Sequence, residues 1–389
     1  MKITNDILYV GVNDHDIDLF EGHYIVPDGM AYNSYVVKGE KTAVMDSVDA
    51  HFTDEWIGKV REAKGAPDYL VIQHMEPDHS GSIMGFMNAF PDAKIVSSQK
   101  AFTMIANFFE GEDFADRRVV VKEGDTLDLG GHVLNFIAAP MVHWPEVIMT
   151  YDATDKVLFS ADGFGRFGAL DVIGETSEED DDWACEARRY YFGIVGKFGT
   201  SVQALLKKIG GLGIKKICPL HGPVLDENIE YYVGTYGIWS SYGVESEGAA
   251  IFYTSVYGNT KKAAEKLAEI LKEKGCPKIA LNDLAREDIY ECVEDAFRYG
   301  KIVLATTTYN GGVFPKMKEF INLLTERNYQ NRSVALIENG SWAPVAAKGM
   351  ASMLEGCRDI RFTDTTVTIR SALNEDSEAQ IDSLAKELI

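Results

Sequence analysis

Short apolar runs bounded by polar and glycine residues recur through roughly the first 245 positions of the chain. DILYVGV, NSYVVK, KTAVMD, YLVIQ, AKIVSS, VLNFIAA, VIMTYD, KVLFSA and IKKICPL each have the length and the β-branched or aromatic content of strands. Helical spacing is clearest in TDEWIGKVREAKG, with Thr53 as its cap, and in NIEYYVGTYGIWSSY. Many strands with few helices between them predict sheets packed on one another and flanked by helices. The polar, glycine-bearing stretch GVESEG (243–248) then reads as a linker. Beyond it the rhythm changes. AAIFYTS, PKIALND, GKIVLATTT, RSVALIEN and FTDTTVTIR alternate with helix-like segments such as KKAAEKLAEILKEKG, which predicts a doubly wound parallel sheet. The pattern divides the chain into domains at 1–246 and 247–389.

Composition narrows the setting. A chain of 389 residues with 46% hydrophobic and 25% charged residues suits a soluble protein of two domains. A net charge of −22 argues against nucleic acid and anionic membranes as partners. The start, MKITNDILYV, lacks the charged and apolar regions of a signal peptide, and no apolar run reaches membrane-span length. Five scattered cysteines without a C-x-x-C pair suggest reduced thiols and a cytoplasmic location.

The distribution of histidine sharpens the division: all eight precede the linker. In HMEPDHSGS (74–82), His74, Glu76, Asp78 and His79 are too close for one helix face and suit a loop around two metals. His143 follows VLNFIAAP, Asp162 follows KVLFSA and His221 follows IKKICPL, so every candidate ligand sits just past a strand. Four strand ends at one rim can converge on one pocket. Four imidazoles and three carboxylates could hold two cations, one carboxylate bridging them. A dizinc hydrolase of similar layout carries a histidine where Glu76 stands, and the exchange for a carboxylate favours iron. His15, His51 and His132 read as plain surface residues, and so does His23, with reach into the pocket as its alternative. Trp144 and Glu146, beside His143, read as pocket wall and support.

A second candidate site follows the strand AAIF. In YTSVYGNT (253–260) the hydroxyls of Thr254, Ser255 and Thr260, with Val256, Tyr257, Gly258 and Asn259, form a neutral anion cradle at a helix start. Two further strand-end loops strengthen it. One brings Thr308, Tyr309, Asn310 and Gly311; the other brings Gly340, Ser341 and Trp342, and Tyr309 and Trp342 are flat enough to flank an isoalloxazine ring. There is no G-x-G-x-x-G fingerprint. The three loops resemble those of flavodoxins, which implies FMN.

Taken together, H-x-E-x-D-H, the later single His, Asp and His, the segment ARRYYFGIVGKFG (187–199) and the second domain resemble the flavodiiron proteins, or A-type flavoproteins. The resemblance implies an α/β chain, with a metallo-β-lactamase-like αββα sandwich followed by a flavodoxin-like doubly wound sheet. It implies that His74, Glu76 and His143 bind one iron, that Asp78, His79 and His221 bind the other, and that Asp162 bridges them. Two ferrous ions and a reduced FMN would together give the four electrons that take O2 to water, while two NO need two to become N2O. The chain runs to Ile389 without a rubredoxin-like C-x-x-C module, so an external donor such as rubredoxin or an NAD(P)H-linked reductase is expected. The resemblance further implies a head-to-tail homodimer. Two other readings compete: a dimetal hydrolase with a regulatory flavodoxin domain, and a non-catalytic electron-transfer flavoprotein.

Overall fold

The computed structural model of the chain describes residues 1–112, 114–179 and 182–389. They form two compact units, Met1–Gly237 and Ile238–Ile389.

The first unit holds a six-stranded and a five-stranded sheet. In the six-stranded sheet, Thr42–Met45, Tyr69–Val71, Lys94–Ser98 and Arg118–Val121 run parallel. In the other, Val133–Ala138, Ile148–Asp152 and Val157–Phe159 alternate in direction, and Lys216–Cys218 lies parallel to the last. The C-terminal ends of Val133–Ala138, Val157–Phe159 and Lys216–Cys218 therefore share one edge, which is the edge that matters for chemistry.

Both sheets contribute to one core, where Tyr35, Met45, Val71 and Val96 meet Phe136, Ile148, Phe159 and Cys218. Removing such apolar surface from water supplies about 25 cal/mol per Å2 toward keeping the layers together. The helix Thr53–Lys64 buries Trp56, Ile57 and Val60, and the Trp56 indole donates to Ser34 Oγ at 2.9 Å. The run DILYVGV, expected as one strand, divides into Ile7–Tyr9 and Val12–Asp14. Gly11 lies between them, where a Cβ would fall 2.5 Å from the Tyr32 carbonyl oxygen.

In the second unit, five parallel strands lie in the order Ile279–Asp283, Ser246–Tyr253, Tyr299–Tyr309, Arg332–Asn339, Ile360–Ile369. The order reverses between the strand Ser246–Tyr253 and its neighbours, so the ends after Tyr253 and Tyr309 flank a crevice. The stretch GVESEG is not all linker. Ser246–Gly248 extend the first strand, with a register irregularity between Ser246 and Ala249. Among the described residues, no helix is long and apolar enough to cross a membrane.

Candidate metal centre and phosphate pocket

Each metal-ligand candidate reaches the shared edge from a turn that the fold holds in place. Fully buried Asp46 accepts the Gln73 amide at 2.7 Å, the Gln73 side-chain amide at 2.8 Å and the His74 amide at 3.4 Å, fixing the start of the ligand loop. The Ser47 hydroxyl donates to the His79 carbonyl at 2.6 Å. The Ser160 amide donates to the Cys218 carbonyl, and the Leu220 amide to the Ala161 carbonyl, which ties the Asp162 and His221 turns together.

The seven candidates come together as two groups. Ligand atoms of His74, Glu76, His143 and Asp162 lie within 4.8 Å of one another, as do those of Asp78, His79 and His221. Asp162 belongs to both halves by geometry. Its Oδ2 is 3.1 Å from His143 Nε2 and 3.4 Å from His74 Nε2, while its Oδ1 is 3.2 Å from His79 Nε2. Six of the seven side chains are buried and Glu76 is partly so.

Imidazole nitrogens face one another across each half. His79 Nε2 is 3.0 Å from His221 Nε2, and His74 Nε2 is 3.4 Å from His143 Nε2. Both Asp78 oxygens and Asp162 Oδ1 are buried without a hydrogen bond. Converging lone pairs and orphaned carboxylate oxygens are what a pair of dications would satisfy, so the residues fit two metals with nitrogen and oxygen ligands. The electrostatics agree. Burial works against the cationic form of His143, yet Asp162 and Glu76 beside it raise its pKa to about 9. Burial likewise disfavours ionised Asp162, but His74 and the other histidines hold its carboxyl well below the usual range.

Support comes from outside the seven. Glu146 Oε1 lies 2.9 Å from His74 Nδ1 and accepts the Met75 amide at 2.9 Å, in keeping with the support expected beside His143. Trp144 stands edge-on to His74 at 5.2 Å. Glu21 joins the site with no motif in the sequence to announce it. Burial, then the neighbouring Glu76 with which it shares a hydrogen bond, pushes its pKa up to about 8. His23, on the same hairpin, stays half-exposed with Nε2 4.0 Å from Glu21. His15 and His51 are exposed as expected. His132 is not: it is 3% exposed and its Nδ1 lies 3.0 Å from buried Asp152 on the adjacent strand.

The second unit carries a cavity of about 540 Å3 at its strand ends. Of the expected residues, Ser255, Val256, Tyr257, Asn259, Thr260, Thr308, Tyr309, Asn310, Gly311, Gly340, Ser341 and Trp342 line it. Thr254 and Gly258 do not. The Thr254 hydroxyl turns to that of Thr306, 2.5 Å away, and Gly258 instead shapes the loop. Gly258 has φ +89° and immediately precedes the helix Asn259–Glu273, its amide donating to Ser255 Oγ at 3.0 Å. Thr307, Asn339, Ala343 and Ser371 also line the cavity. Ser371 follows a fourth strand end, so the strand-end rule applied to FTDTTVTIR would have found it.

Thr308 also braces the pocket, because its hydroxyl accepts the amides of Val345 and Ala346 at 2.9 and 3.2 Å. The lining of hydroxyls, amides and aromatic rings, facing a helix N-terminus, suits a phosphate and a flat ring. Tyr309 and Trp342, the two rings expected to flank it, line the cavity and stand 45% and 92% exposed rather than filling a core.

Comparison with known proteins gives relatives for both parts of the chain. A family model described as ODP family beta lactamase matches residues 30–222, and a Flavodoxin domain model matches 250–355. The chain is 30% identical over 385 residues to an anaerobic nitric oxide reductase flavorubredoxin of Shigella dysenteriae, covering 97% of this chain and 79% of the relative. A protein of the same name from Klebsiella pneumoniae is 30% identical over 361 residues, 91% of this chain and 74% of the relative. The solved rubredoxin oxygen:oxidoreductase of Desulfovibrio gigas superposes with a TM-score of 0.91 at 26% identity, covering 100% of this chain and 97% of that one. The flavodiiron protein of Giardia intestinalis gives 0.92 at 23% identity, over 100% and 96%, and speaks for the fold alone.

Proposed function

The chain belongs to the flavodiiron proteins, and from that premise we propose that it is an oxidoreductase reducing O2 to water, NO to N2O, or both. Its relatives are named as a nitric oxide reductase and as a rubredoxin oxygen:oxidoreductase. The observation that carries the reading is the position of Asp162, one oxygen toward each group of histidines.

In this reading residues 1–246 form the diiron domain and residues 247–389 the FMN domain. His74, Glu76 and His143 would hold one iron, Asp78, His79 and His221 the other, with Asp162 shared between them. FMN binds at Thr254–Thr260, Thr308–Gly311 and Gly340–Trp342. When bound, the two irons and the flavin supply one-electron and two-electron redox chemistry. The chain's own residues do the rest. Asp162 keeps the two positions adjacent, and Asp46 and Glu146 hold the ligand loop. Thr260 and Asn259 present the helix start to the phosphate, and Tyr309 and Trp342 orient the ring. Electrons come from an external donor such as rubredoxin or an NAD(P)H-linked reductase. The working form is a cytoplasmic head-to-tail homodimer in which the flavin of one subunit serves the irons of the other.

The test is anaerobic NO consumption beside O2 consumption, with one chemical or protein donor, on protein assayed for iron and FMN. Two irons and one FMN per chain with turnover of either gas support the reading. Protein that holds zinc, or that turns over neither gas, overturns it.

A further inference from the structure

The two halves of the metal cluster hold the same kinds of ligand atom but differ in what stands behind the imidazoles. His74 directs Nε2 at the cluster and Nδ1 at Glu146 Oε1, 2.9 Å away, both side chains having no solvent exposure. The same oxygen accepts the Met75 amide, so the carboxylate is anchored to the ligand loop. In the other half, His221 Nδ1 lies 2.8 Å from the Ala31 carbonyl oxygen, a neutral acceptor. His79 Nδ1 is buried and has no hydrogen-bond partner. Each half contributes one carboxylate of its own, Glu76 or Asp78, and Asp162 turns one oxygen to each. Behind the imidazoles the imbalance is Glu146; Glu21, which also joins the His74 half, stands behind the carboxylate of Glu76 instead.

We propose that Glu146 is a positioning residue that makes the two metal positions unequal, strengthening the one at His74, Glu76 and His143 and leaving the one at Asp78, His79 and His221 the first to empty. The physical reason is direct. A carboxylate at Nδ1 fixes the proton there, leaves the Nε2 lone pair facing the cluster and makes that nitrogen a stronger donor. A backbone carbonyl does this less, and an imidazole with no partner is free to take the other tautomer or rotate. Outer partners of this kind are worth about 10- to 100-fold in metal affinity. The added negative charge would also favour the ferric state of an iron bound by His74. This inference rests on the diiron reading above.

The test follows metal release. Full-length protein, loaded anaerobically with ferrous iron to two per chain, is mixed with excess ferrous chelator and the coloured complex is followed in time. The expected record has two phases of one iron each. In Glu146→Gln the slow phase should quicken by about 10- to 100-fold, with the fast phase unchanged, and one of the two iron reduction potentials should rise. A purely structural defect would quicken both phases and move neither potential selectively.

Asp78→Asn provides an independent arm, because it should remove the fast-releasing iron and retain the slow one whatever Glu146→Gln does. A single phase in the wild type, loss of the slow iron in Asp78→Asn, or a slow phase indifferent to Glu146→Gln overturns the proposal. A wild type that binds no iron at all is a different failure, and takes the diiron reading with it.

Discussion

Asp162 Oδ2 lies 3.1 Å from His143 Nε2, while the other oxygen of the same carboxylate turns to His79 at 3.2 Å. A side chain that faces both halves cannot be removed from one alone. Asp162→Ala should therefore drop iron below one per chain and abolish nearly all gas consumption, measured by metal analysis and by NO and O2 electrodes. Near-normal iron content in that variant would remove Asp162 from the bridging role.

Thr308 offers a test of the flavin pocket that leaves its shape intact. Its hydroxyl accepts two amides at the start of the helix Ala346–Met353, and so ties the Tyr309 loop to the loop bearing Trp342. Thr308→Val keeps the volume and deletes the acceptor, at a cost of about 1 kcal/mol, as for other lost helix caps. If that cost falls on the bound form, FMN binding should weaken roughly fivefold, read from flavin fluorescence on titrating FMN into flavin-free protein. Unchanged affinity would mean that the two loops are held independently.

The part of the site legible in the sequence is the part that follows strands. A ligand just past YLVIQ, VLNFIAA, KVLFSA or IKKICPL is visible because apolar runs mark strand ends; the last three strands share one sheet edge, and the first reaches it from the other sheet. Glu21 is not visible this way. It sits in the turn between Leu19–Phe20 and Tyr24–Ile25, strands of two residues each, too short for any periodicity. His132 departs from its expected surface position for a related reason. Its partner Asp152 is brought near only by the antiparallel register that sets Leu134 opposite Asp152, which no local pattern reveals. The helix Ile229–Ser240 matches its spacing, but the division into compact units falls within it, after Gly237, because a boundary follows packing rather than polarity.

Gly258 separates backbone from charge in the phosphate loop. Its φ of +89° is left-handed, and a Cβ there would meet nothing within 4 Å, so a substitution costs conformation rather than space. Gly258→Asn should retain FMN, since asparagine tolerates this region. Gly258→Asp puts a negative charge on the loop that leads into the phosphate-facing helix and should lose the flavin, seen as absent yellow absorbance after purification. Equal flavin in both variants would place the phosphate elsewhere.

The proposed trans-subunit pairing makes a demand that neither unit makes alone. If the flavin of one subunit serves the irons of its partner, defects in the two cofactors can complement each other. Asp162→Ala subunits lack a working metal centre and keep their flavin; Gly258→Asp subunits keep the irons and lack the flavin. Each homodimer should be inactive. In a mixed dimer one of the two pairings joins an intact flavin to an intact metal centre, and two-fold symmetry makes the other pairing doubly defective. Random mixing places half of all dimers in the mixed class, each with one working pair of two, so about a quarter of wild-type turnover should return. Subunits must be exchanged, or co-expressed with two different tags and purified through both, so that the mixed species is isolated. A purified mixed dimer with no turnover rules out transfer between subunits. So does full wild-type activity from a species that sediments as a monomer.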